Sequence, residues 1–114
     1  MNKRRQLSRL TDLAQIHRMV ALSGFAALAR ERQAIEAQRE ALAAEQRSAR
    51  KSAAASPETA IAAARFDTFV HNRTEQITDE LKAGAPRFEG ARDAAARAVG
   101  RHAALVKLAK RQNP

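Results

Sequence analysis

Apolar residues recur every seven positions along the first half of the chain. One column reads Leu7, Ala14, Ala21, Leu28, Ile35 and Leu42, and the column just before it reads Leu13, Val20, Ala27, Ala34 and Ala41. A seven-residue repeat keeps side chains on one stripe of a helix that supercoils with a partner, so the pattern predicts a long helix over about residues 5–50. No proline and only Gly24 interrupt this stretch. The column expected to complete the seam is mixed, with Leu10, His17, Gly24, Glu31, Gln38 and Glu45, so the stripe is leaky.

Residues 51–57, Lys51-Ser52-Ala53-Ala54-Ala55-Ser56-Pro57, form the plausible turn. Ser56 suits a helix N-cap, Pro57 fits the first helical position, where no N–H is required, and Glu58 faces the positive end of the helix dipole. A second helix is therefore expected over about residues 57–111. Its columns are Ala63, Val70, Ile77, Gly84, Ala91, Ala98 and Leu105, partnered by Leu81, Phe88, Ala95, His102 and Ala109, with Phe66 and Phe69 thickening the first turns. Pro86, just after Gly84, removes a helical hydrogen bond and crowds the preceding turn at a cost of about 3 kcal/mol if the helix stays straight. A kink near Gly84-Pro86 is expected, since the heptad phase survives across it.

Two arms of similar length, roughly 65 to 80 Å at 1.5 Å per residue, joined by a short turn, predict an all-α fold. The expected arrangement is a single antiparallel coiled-coil hairpin covering residues 1–114. A reversal centred on the turn gives partners whose numbers sum to about 108. That register sets Leu42 beside Phe66, Leu28 near Glu80 and Leu81, and Leu10 beside Ala98, with Gly24 opposite Gly84 and Phe25 or Phe88 leaning over the gap.

Composition sharpens this picture. Of the apolar residues 28 are alanine, with nine leucines and no Trp or Tyr, a mixture that favours closely approaching helices over a thick core with a ligand cavity. So thin a seam is expected to be marginal alone and to be completed by a homodimer or another partner. The absence of cysteine removes disulfides and thiolate chemistry and suits a reducing compartment. No apolar run approaches the roughly 20 residues of a membrane span, and no apolar segment follows the basic start as a secretory signal would require. A cytoplasmic location is expected.

The net charge of +9 lies entirely at the two ends. Lys3, Arg4, Arg5 and Arg9 at one end and Arg97, Arg101, Lys107, Lys110 and Arg111 at the other account for it, because the 12 basic residues between them are balanced by all 12 acidic ones. In a hairpin both clusters reach the same end of the molecule, so these nine residues are the candidate partner-binding surface.

No catalytic, cofactor or metal site is expected. Glu36 and Glu40, or Glu75 and Asp79, lie four apart on a helix face, but among Arg32, Arg39 and Arg73 they read as a solvated, ion-paired surface. The residues three before His17, His71 and His102 are Ala14, Thr68 and Val99, which excludes the Glu-x-x-His pairs of di-iron bundles. The histidines read as edge or seam fillers. Phosphate loops, nucleophile elbows and HExxH are absent.

The opening Leu7-Ser8-Arg9-Leu10-Thr11-Asp12-Leu13-Ala14, the Ala-, Arg-, Glu- and Gln-rich helix after it, the short turn and the returning basic helix resemble the flagellar FliJ and type III secretion YscO stalk family. The resemblance is architectural, covers nearly the whole chain and transfers no residue role. It implies a coiled coil that docks its paired termini into an export ATPase ring, touches the export gate and handles export chaperones. This chain departs from that family in being shorter, richer in alanine and interrupted at Pro86. The resulting expectation is a non-enzymatic adaptor or stalk, with the basic end as one contact and residues 48–69 around the turn as another. A small basic nucleic-acid-associated protein is the alternative, weakened by the neutral body and the lack of Tyr and Trp for base stacking. A helical oligomerisation scaffold is a third reading. Residues 94–111 also carry a basic amphipathic pattern suited to a membrane surface, although their stripe continues the heptad.

Overall fold

A computed structural model describes residues 2–112. Two helices account for nearly all of them: α1, Asn2–Ser52, and α2, Pro57–Gln112. One 3₁₀ turn, Ala53–Ala55, separates them. The fold is an antiparallel helical hairpin, and both helices lie within a few residues of the bounds expected from the heptads.

The reversal is sharper than the sequence suggested. Helical backbone persists through Ala55, and Ser56 alone is extended, with φ −161° and ψ 162°. Ser56 then caps α2: its Oγ accepts the Thr59 N–H at 3.2 Å, and the Ser56 N–H donates to Thr59 Oγ1 at 2.9 Å. This is a reciprocal capping arrangement with Thr59 in the place usually held by Glu or Gln, and such a cap contributes about 1 kcal/mol. The last turn of α1 carries Arg50 and Lys51 against the negative end of its dipole.

Because the chain turns at Ser56 rather than midway through residues 51–57, the register differs from the expected one. Phe25 meets Phe88, with ring centroids 5.3 Å apart. Gln46 Nε2 donates to Asp67 Oδ1 at 3.0 Å. Each of these pairs sums to 113, which displaces the expected pairings, Leu42 beside Phe66 among them, by about five residues. The Gly24–Gly84 approach is not made, and a Cβ added at either glycine would meet nothing within 4 Å.

The hairpin divides into two compact units. One consists of Met1–Ala29 and Pro86–Pro114, and the other of Arg30–Ala85. In the first, Ala14, Ala95 and Ala98 are buried, and the tilted Phe25–Phe88 pair supplies the bulk that three alanines lack. In the second, Ala63, Val70, Ile77 and Leu81 are buried, and Ile77 is fully enclosed. Asp67 ties the edges of this unit together, accepting from Gln46 and pairing with Arg50 at 3.3 Å. Arg73 spans the same seam, donating to Gln38 at 3.2 Å and to Gln76 at 3.2 Å.

Both columns expected for α2 face the seam, Gly84 excepted, which is exposed. Phe66 is half-buried, whereas Phe69, stacked on it at 6.0 Å, is 55 % exposed and does not thicken the core. For α1 only the Leu7-to-Leu42 column faces the seam. The column Leu13, Val20, Ala27, Ala34 and Ala41 is exposed, as is Leu10 through Glu45, where Gln38 alone reaches back to Arg73. The seam is completed instead by Thr11, Arg18, Phe25, Arg32, Arg39 and Gln46, all partly buried. Long Arg and Gln stems cover apolar surface while their polar ends reach water or a neighbour, as Arg32 does toward Glu36 at 3.5 Å. α2 continues through Pro86 as one helix, so the sequence break there is not a separate third element.

Candidate functional site at the basic end

All nine candidate residues lie in the unit formed by the two ends of the chain, and all are exposed. Lys3, Arg4, Arg5 and Arg9 stand on the first turns of α1; Arg97, Arg101, Lys107, Lys110 and Arg111 stand on the last turns of α2. The helices meet there directly, since Arg4 Nη2 donates to the Gln112 carbonyl at 3.3 Å. Among the described residues, none of the nine is in an ion pair with a carboxylate. The salt bridges belong to the neutral body, where Arg32, Arg47, Arg50, Arg73 and Arg92 take up acidic partners.

The positive end also has apolar relief. One groove is lined by Arg4, Leu7, Ser8, Thr11, Asp12, Ala109 and Gln112. A second, lined by Lys3, Gln6, Leu7, Leu10, Leu108 and Gln112, is the more apolar of the two. Leu10 is 51 % and Leu108 44 % exposed. The sequence located the cations but gave no sign of the grooves, because Leu10 stands in a column that reads as seam and Leu108 in neither seam column of α2.

Elsewhere several carboxylates are engaged as surface pairs. Glu75 lies 3.3 Å from His71, and Glu36 is bound to Arg32. Among the described residues no group of three metal-ligating side chains is assembled. His17 is exposed, and His102 is half-buried in the α2 seam. Near the turn Ile61 and Phe69 are more than half exposed, an apolar feature within the second contact region expected from the sequence. Among the described residues no helix is long and apolar enough to cross a membrane. No family model, curated protein or solved structure matches the chain.

Proposed function

We propose that this chain is a non-enzymatic helical adaptor that docks by its basic end onto an acidic protein surface, in a flagellar or type III export apparatus. The partner would be an export ATPase or export chaperones. One observation carries the reading: the excess charge of the whole chain is gathered where the two helix ends meet, unpaired and interrupted by leucine-lined grooves. Exposed charges of this kind raise association rates and fix orientation more than they raise affinity, and they are screened beyond about 8 Å at physiological salt. The architectural likeness to the stalk family supplies the choice of apparatus.

The test is capture of the chain by a purified export ATPase, comparing the native protein with one in which Arg4, Arg5, Lys107, Lys110 and Arg111 are all changed to Glu. The expected result is at least a hundredfold weaker binding, a loss of about 3 kcal/mol, with helicity unchanged by circular dichroism. Undiminished binding by the reversed protein discards the basic-end contact. A gel shift with duplex DNA that weakens steeply with salt, together with no capture by the ATPase, would favour the nucleic-acid alternative.

A further inference from the structure

The unit built from Met1–Ala29 and Pro86–Pro114 combines two features that Arg30–Ala85 lacks. It carries 12 basic residues against three acidic ones, whereas Arg30–Ala85 carries nine of each, so the whole excess of +9 belongs to it. It also holds eight of the ten large apolar side chains that stand exposed among the described residues. Five of these, Leu10, Leu13, Ile16, Met19 and Val20, follow one another along a short stretch of α1, and Val20 is 67 % exposed. Among the described residues only Ala14 of α1 is buried, so the hairpin leaves this apolar stretch uncovered.

Cations and apolar residues share one face of the helix. At 3.6 residues per turn Leu10, Leu13, Ile16 and Val20 fall within about 120° of the circumference, and Arg9 lies inside that arc. Lys3 borders it on one side and Arg5 on the other, each about 20° away. Asp12, the one acid among residues 1–29, stands about 40° outside. On the Lys3 side, the groove lined by Lys3, Gln6, Leu7, Leu10, Leu108 and Gln112 carries the apolar surface across to α2 without an acidic residue.

We propose that this face lies on the surface of an anionic lipid bilayer, with residues 3–20 of α1 parallel to the membrane plane. Leu10, Leu13, Ile16 and Val20 enter the boundary between headgroups and acyl chains, as the apolar side of a surface-bound amphipathic helix does. Lys3, Arg5 and Arg9 have stems long enough to keep their charged ends at the lipid phosphates. Each basic residue near such a surface strengthens binding about fivefold, and apolar burial then holds what the charges collect. Charge decides the occupant: a second copy would set the same cations against one another, whereas a bilayer bearing phosphates supplies the missing anions. The contact goes beyond the adaptor reading, which leaves the apolar face unassigned.

Cosedimentation of the full chain with vesicles tests the contact. Phosphatidylcholine vesicles containing about 30 % phosphatidylglycerol should bind the native chain at least about tenfold more tightly than phosphatidylcholine alone, and added salt should weaken the binding. Leu13→Gln, Ile16→Gln and Val20→Gln together keep good helix formers at exposed sites and leave all nine terminal cations in place. This triple variant should bind the anionic vesicles at least about tenfold more weakly with unchanged helicity. Its capture by an export ATPase should match that of the native chain, so the adaptor reading and the lipid contact fail separately. In a chain without tryptophan, Ile16→Trp reports insertion. Its emission should shift to the blue on anionic vesicles, whereas that of Ile61→Trp, in the neutral unit, should not. No binding of the native chain at low salt would overturn the inference, as would undiminished binding by the triple variant or equal shifts of the two tryptophans. So would ATPase capture that the triple variant loses while vesicles bind neither protein, which assigns the face to an acidic protein, or a native dimer that the triple variant abolishes, which assigns it to a second copy.

Discussion

Replacing Ile77 by alanine is expected to destabilise the hairpin by about 3 kcal/mol, within the roughly 2 to 5 kcal/mol found for truncating a buried Ile or Leu. Among the described residues Ile77 is the one large side chain with no accessible surface, and it sits between Val70 and Leu81 on the buried stripe of α2. A two-helix seam has only one layer of side chains, so no second layer moves in to fill the space. Ile61, 56 % exposed on the same helix, serves as the comparison. Ile61→Ala should shift stability by no more than about 0.5 kcal/mol, as expected of a surface site. Urea denaturation followed by circular dichroism measures both. Equal effects of the two substitutions would mean that the buried stripe does not hold the arms together.

Pro86→Ala is expected to act in the opposite direction and stabilise the chain by about 2 kcal/mol. The helix continues through Pro86, whose ring lacks the N–H that would bond to the Lys82 carbonyl one turn earlier. An interior proline costs about 3 kcal/mol, and part of the gain on removing it is returned because alanine frees the unfolded chain. Pro86 is exposed, so its ring offers no packing to lose. The same denaturation experiment should show a higher midpoint with an unchanged slope. A lower midpoint would indicate that Pro86 is needed to shape α2, contrary to its surface position.

The heptads of α2 were legible because its two apolar columns coincide with the two that are buried. Val70, Ile77, Leu81, Ala95 and Ala98 lie where the spacing put them. In α1 three neighbouring columns compete, and hydrophobicity favoured the pair containing Leu13 and Val20. The structure instead turns α1 toward Phe25, because one aromatic pair with Phe88 outweighs several alanines and because Arg18, Arg32 and Arg39 cover the seam with their stems. A scale that counts Arg as wholly polar hides this choice. The five-residue shift in register was hidden for a related reason. Ala53–Ala55 prolong the helical path almost to Ser56, and the alanine run gave no local signal of where the reversal would fall. The basic end was readable from charge alone, since any antiparallel return collects both clusters; its leucine-lined grooves depend on register and were not.

Distance measurement between two nitroxide labels in one chain addresses the return of the helix most directly. With Arg5→Cys and Leu108→Cys as the labelling sites, diluted into unlabelled protein, adjacent helices about 10 Å apart should give a single distribution centred near 25 Å once the label tethers are added. A distribution beyond about 60 Å, toward the roughly 150 Å of an unturned helix, would contradict the meeting of the two chain ends and remove the shared positive surface with it.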